Sequence, residues 1–161
     1  MFLRICRTFL PLVILAGCLS TGWANSRHHD LNGTWRLLPI RSEYAGERAI
    51  QTGTVIINDR ERNISITRNF TYDGTNRSTS YNFSTDGPEN TLISEGSDLK
   101  SKAKWEGDVL KVTSTTGDVA TIERYQLDIH GSLMLTVERT GHPTERLFFD
   151  RLYDAPATSG S

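Results

Sequence analysis

The sequence predicts an all-β protein, a single domain whose strands form one long antiparallel meander closed into a barrel. Three observations lead there. Turn-forming clusters recur at intervals of roughly 10 to 14 residues along most of the chain. Between them apolar and polar side chains alternate, as they must on a strand with one wet and one dry face. No window has the helical period of about 3.6 residues. A meander of about ten strands with one dry face has to curl until that face is enclosed, which also removes its sticky edges.

The chain has 161 residues, enough for one domain. Its opening segment differs from the rest. Met1 to Arg7 contains two arginines and no acid, and Phe9 to Gly17 is an unbroken apolar run. That run is shorter than the roughly 20 residues a spanning helix needs. A basic start, an apolar centre and small residues after it are the order of a secretory signal, so residues 1–24 are expected to be a signal segment running into the start of a tether. Leu15-Ala16-Gly17-Cys18 resembles the lipobox of bacterial lipoproteins, which implies acylation of Cys18 and an anchor in the membrane. Cleavage after Ala24 is the other reading, since Gly22-Trp23-Ala24 also fits a small-x-small rule. The first places the protein in the bacterial cell envelope, lipid-anchored at an outer membrane facing the periplasm. The second releases it into the periplasm. Both cysteines, Cys6 and Cys18, lie in this segment, so the exported domain has no disulfide and is held by packing.

Residues 25–29, with His28 and His29, continue the tether. Residues 30–154 form the domain, and residues 155–161 (APATSGS) read as a disordered tail. Within the domain the turns are placed at Asn58-Asp59-Arg60, Asp73-Gly74, Asp86-Gly87-Pro88, Glu95-Gly96-Ser97, Glu106-Gly107-Asp108, Gly117-Asp118, His130-Gly131 and Gly141-His142-Pro143. Asp-Gly and Gly-Asp accept the positive φ that tight hairpins require. Between turns, Ile64, Ile66 and Phe70 share one parity. So do Thr79, Tyr81 and Phe83, then Leu99, Ser101, Ala103 and Trp105, and later Leu133, Leu135 and Val137.

Several motifs give the domain a family look. Asn32-Gly33-Thr34-Trp35-Arg36-Leu37 resembles the G-x-W opening of lipocalins and the GTW-x-L opening of fatty-acid-binding proteins. Ala103-Lys104-Trp105-Glu106-Gly107 resembles the K-W-x-G hairpin of the latter, and Leu147-Phe148-Phe149-Asp150-Arg151 its closing strand. The resemblance implies a lipocalin-like up-and-down barrel of about eight to ten strands with an interior ligand site. It makes Gly33, Trp35 and Arg151 a structural motif, the arginine covering the tryptophan by cation–π stacking. Two departures stand out. Pro39 to Ala49 is too short for the helical pair that lids fatty-acid-binding proteins, leaving room for a short helical turn or a flap. Where that family has an R-x-Y pair on its closing strand, this chain has Leu147 and Phe149.

Charges on dry faces are the informative residues for function. Arg68, Arg77, Glu123 and Arg139 all fall on inward parity. A buried ion costs several kcal/mol unless paired, so a hydrated lumen explains them better than a solid core, although arginines near strand ends can also reach solvent at a rim. With the inward aromatics Tyr81, Phe83, Trp105 and Tyr125, they form the predicted ligand-binding set. The expected ligand is a small hydrophobic or amphipathic molecule. A packed barrel serving as an accessory to another envelope protein is the alternative, with Val109 and Phe148 as outward apolar positions. The formal charge of −1 and the lack of a basic cluster exclude nucleic acid as a partner. His130 and His142 fall in turns, away from any serine–carboxylate pair, and no second catalytic group accompanies Glu123 and Arg139. No enzyme, cofactor or metal site is predicted, and the sequence sets no oligomeric state.

Overall fold

The computed structural model describes residues 30–45, 49–60, 62–85, 90–94 and 97–153. Cys18, the tether, the tail, and the turns expected at 86–88 and 95–96 lie outside them. Ten strands follow one another: β1 (Gly33–Leu37), β2 (Thr52–Arg60), β3 (Asn63–Tyr72), β4 (Thr75–Ser84), β5 (Asn90–Ser94), β6 (Ser97–Glu106), β7 (Val109–Thr116), β8 (Val119–Leu127), β9 (Leu133–Arg139) and β10 (Glu145–Leu152). They form one antiparallel sheet in the order β4-β3-β2-β1-β10-β9-β8-β7-β6-β5. Consecutive strands pair throughout except β4 with β5, and β1 pairs with β10, Trp35 opposite Arg151 and Leu37 opposite Phe149. The result is an up-and-down barrel with a single seam, at which β4 comes close to β6.

Hairpin chemistry sets the corners. At the β3–β4 turn Asp73 and Gly74 both have positive φ, 48° and 75°, the two-residue turn whose twist matches that of its strands. The expected turn at Asn58-Asp59-Arg60 is instead the end of β2, with Asn58 opposite Ser65 and Arg60 opposite Asn63. Ladder bonds use only the backbone, so polar side chains at the outer face do not end a strand. Asn32 also accepts the Asp59 N–H through its side-chain oxygen, tying this end of β2 to the start of the domain.

The barrel is solid at one end. Trp35, Ile57, Ile64, Phe83, Leu110, Tyr125, Leu133 and Phe149 are buried there, and Leu31 caps them from below. The Trp35 indole N–H donates to the Leu31 carbonyl at 2.9 Å. The Arg151 guanidinium lies 4.6 Å from the centre of the Trp35 ring, and its Nη2 donates to the Asp30 carbonyl at 2.9 Å. One arginine thus closes the ring from outside and pins the chain segment that plugs the barrel.

The segment after β1 makes a single 3₁₀ turn, Pro39–Arg41, and then runs alongside β10 through the Glu43–Arg146 bridge. Arg41 ties it to the β8–β9 turn, Nη2 to the Asp128 carboxylate at 2.6 Å. Asp128 also accepts the backbone N–H groups of His130 and Ser132. Its slight burial pushes the carboxyl pKa up, but those two N–H donors and Arg41 outweigh it and hold the group below the usual aspartate range. A carboxyl lowered on folding contributes stability above its unfolded pKa and loses it as pH falls through the lowered value. Acid-unfolding curves of Asp128→Asn are therefore expected to be less steep than those of the parent protein between neutral and strongly acidic pH. Equal steepness would remove Asp128 from the acid response.

Candidate functional site

Toward the other end the interior opens. Successive inward positions on β3 read Ile64, Ile66, Arg68, Phe70 and Tyr72, passing from solid core to rim. On β8 they read Val119, Thr121, Glu123 and Tyr125, passing from rim to core. The two antiparallel climbs bring Arg68 and Glu123, 55 residues apart in the chain, to one level. They meet across the lumen, Nη1 to Oε1 at 2.5 Å, each side chain 13% exposed. The Tyr125 hydroxyl donates to the other carboxylate oxygen, Oε2, at 2.8 Å. The Tyr81 ring lies 5.1 Å from the Arg68 guanidinium.

Burial and close contact shift two members of this triad. Burial pushes the Tyr125 phenol well above its ordinary pKa and the neighbouring Glu123 charge adds to this, so the phenol stays protonated and donates. Burial alone would lower the Arg68 pKa, but its contacts with Tyr125 and Glu123 more than compensate, and the net direction is upward. The guanidinium is a permanent cation, in contact with the Glu123 carboxylate.

Above the triad is a cavity of about 350 Å³ that opens at the rim. One wall is apolar, formed by Phe70, Tyr72, Leu135, Val137 and Leu147. The other is a run of hydroxyls, Ser114, Thr116 and Thr121, on β7 and β8. Arg77, Arg139 and Glu145 stand at the mouth, with the two arginines exposed. Phe70 is held upright by stacking on Phe149 at 6.3 Å between ring centres and by Gly53 opposite it. A Cβ at residue 53 would come within 2.6 Å of the Phe70 ring, so the wall needs glycine there. Gly53→Ala is expected to cost about 1–3 kcal/mol in urea unfolding, the usual penalty for overpacking, and to narrow the cavity.

Comparison with solved structures finds barrels of the same architecture. One described as the REP1-NXSQ fatty acid transporter matches with a TM-score of 0.61 at 18% identity, covering 78% of this chain and 98% of its own. Echinococcus granulosus fatty-acid-binding protein 1 matches with a TM-score of 0.60 at 14% identity, over 76% of this chain and 98% of its own. The wild-type fluorescent protein UnaG matches with a TM-score of 0.62 at 17% identity, over 76% and 97%. The chain has a calycin-type fold. No protein-family model matches it, and a comparison with curated proteins finds no match.

In this calycin-type barrel the predicted residues divide by depth. Arg68, Arg77, Tyr81, Glu123 and Arg139 reach the cavity. Phe83 and Tyr125 do not line it and are buried in the solid end, and Trp105 packs against that core from β6. Parity determines the face a residue occupies but not its height along the barrel axis, so core and cavity aromatics look alike in sequence. The arginines split for the same reason: Arg68 is interior and paired, while Arg77 and Arg139 sit at the rim. Glu123 pairs with Arg68. On β4 only Tyr81 and Phe83 follow the expected dry parity, because Thr79 faces the open mouth and is exposed. The structure adds Ser114, Thr116, Thr121 and Glu145 to the lining. Glu145 continues the inward parity of Leu147 and Phe149 and was detectable on that ground. Thr121 was detectable likewise, on the inward parity of Glu123 and Tyr125, whereas Ser114 and Thr116 were not, since Ser and Thr populate both faces of these strands. Among the described residues no group of three His, Cys, Asp or Glu side chains could hold a metal ion.

Proposed function

We propose that the protein is an exported, lipid-anchored carrier of the bacterial envelope that holds a small hydrophobic or amphipathic molecule in its barrel. The observation behind this reading is the open cavity, about 350 Å³ with one apolar and one hydrogen-bonding wall. That combination grips a chain and orients a polar end. The solved barrels described as a fatty acid transporter and a fatty-acid-binding protein support it by analogy of fold.

Titration with the uncharged dye Nile red tests the carrier reading. Saturable fluorescence enhancement at one site, abolished by a bulky Thr121→Trp substitution in the lining, is the expected result. Enhancement that is absent, or unchanged in the variant, would refute it. The anchor is tested separately: Cys18→Ser is expected to shift the protein from the membrane fraction to the soluble fraction of broken cells, and retention in the membrane would point away from lipidation.

The accessory alternative has a weaker footing. Phe148 lies beneath the Arg41 guanidinium, 4.4 Å from its ring centre, and Val109 is half-buried, so neither offers a free apolar face. Among the described residues, Ile40 and Ile129 are instead the fully exposed aliphatic side chains. They sit on the two segments that the Arg41–Asp128 pair joins.

A further inference from the structure

We propose that the polar end of the ligand is uncharged and hydroxyl-bearing, as in a long-chain alcohol or a monoacylglycerol, and is not a free carboxylate. This rests on the carrier reading and narrows it. The floor of the cavity holds one cation and one anion already in contact, Arg68 and Glu123. A carboxylate pushed against the Arg68 guanidinium must also approach Glu123, and like charges in a poorly solvated site repel strongly. It would have to displace Glu123, which Tyr125 holds through the second carboxylate oxygen.

A hydroxyl meets no such conflict, because it can accept from Arg68 and donate to Glu123 at once. The neighbouring wall fits the same chemistry. Ser101, Ser114 and Thr121 lie opposite one another on β6, β7 and β8. Ser101 is 1% exposed, and its hydroxyl has no hydrogen-bond partner. Buried hydroxyls are normally satisfied; Ser114 and Thr121 line the cavity, and Ser101 beside Ser114 leaves unused hydrogen-bonding capacity just behind that wall. The rim charges Arg77, Arg139 and Glu145 are of both signs, and the arginines stand in water. They offer a carboxylate no desolvated partner.

The test is displacement of Nile red from the whole exported domain by lauric acid, lauryl alcohol and glycerol monolaurate, at a mildly alkaline pH where the acid is ionised. The alcohol and the monolaurate are expected to displace the dye at concentrations about tenfold or more below the laurate. In Glu123→Gln, which keeps the shape and an acceptor for Tyr125 but frees the Arg68 charge, that preference is expected to shrink by about tenfold. Laurate binding as tightly as the alcohol in the parent protein, or an unchanged ratio in a folded Glu123→Gln, would overturn the proposal while leaving the carrier reading intact. If Glu123→Gln does not fold, the ranking in the parent protein decides alone. If neither the dye nor any of the three lipids binds, the carrier reading falls and this inference falls with it.

Discussion

Replacing Trp35 with alanine is expected to cost about 3–5 kcal/mol, the usual toll for removing a large buried aromatic side chain. Against a total stability of about 5–15 kcal/mol for an ordinary domain, that loss removes a large share, and at the low end of the range nearly all of it. The size of the effect comes from three losses at one position. The ring is fully buried, its N–H holds the Leu31 carbonyl, and its outer face supports Arg151, which in turn holds Asp30. Alanine leaves a void in the solid end and unfastens the segment that plugs it. Both cysteines, Cys6 and Cys18, precede the barrel, so residues 30–154 have no disulfide to limit the damage. Trp35→Phe keeps most of the volume and is expected to lose only about 1–2 kcal/mol, through the indole hydrogen bond. Urea unfolding of both variants measures the difference. A Trp35→Ala midpoint close to that of the parent protein would mean that the plug contributes little.

Glu123→Leu is expected to destabilise the barrel by about 3–5 kcal/mol, because it leaves the Arg68 cation in the interior without its counterion. It also strips the Tyr125 hydroxyl of its acceptor, a further penalty of about 1–3 kcal/mol for a buried donor. The triple change Arg68→Met, Glu123→Leu and Tyr125→Phe removes all three polar groups together. It is expected to match the parent protein in urea unfolding or to exceed it, since apolar replacements of a buried ion pair are commonly neutral or stabilising. The contrast between single and triple variants separates two roles for the triad. If the triple variant is stable but no longer ranks ligands by headgroup, the pair is there for recognition. If the triple variant is as unstable as the single one, the pair is a structural strut. A mild Glu123→Leu phenotype would show that Arg68 finds water through the cavity mouth.

The fold was largely legible because its signals are local. Alternation at Ile64 and Ile66, Ala103 and Trp105, or Leu133 and Leu135 needs only the two-residue repeat of a strand, and Asp73-Gly74 needs only the φ preferences of its own residues. The site was legible in part. Arg68 and Glu123 stood out since an ion on a dry face is costly and demands an explanation. Their partnership did not, because a separation of 55 residues and the five connections from β3 to β8 decide which inward charge meets which. Phe83 and Tyr125 share the inward parity of Tyr81, yet they stand in the solid end.

By itself the sequence determined the all-β class, the meander, the dry face of each strand, and the presence of ions on that face. Only the tertiary structure decided where the barrel is solid and where it is hollow, which charges neutralise each other, and that β4 and β5 part at a seam while β1 and β10 join. The physical reason is that side-chain parity is written in neighbouring residues and repeats along a strand. Depth and pairing depend instead on how far each strand is shifted against the next around a closed ring, and no single strand contains that information.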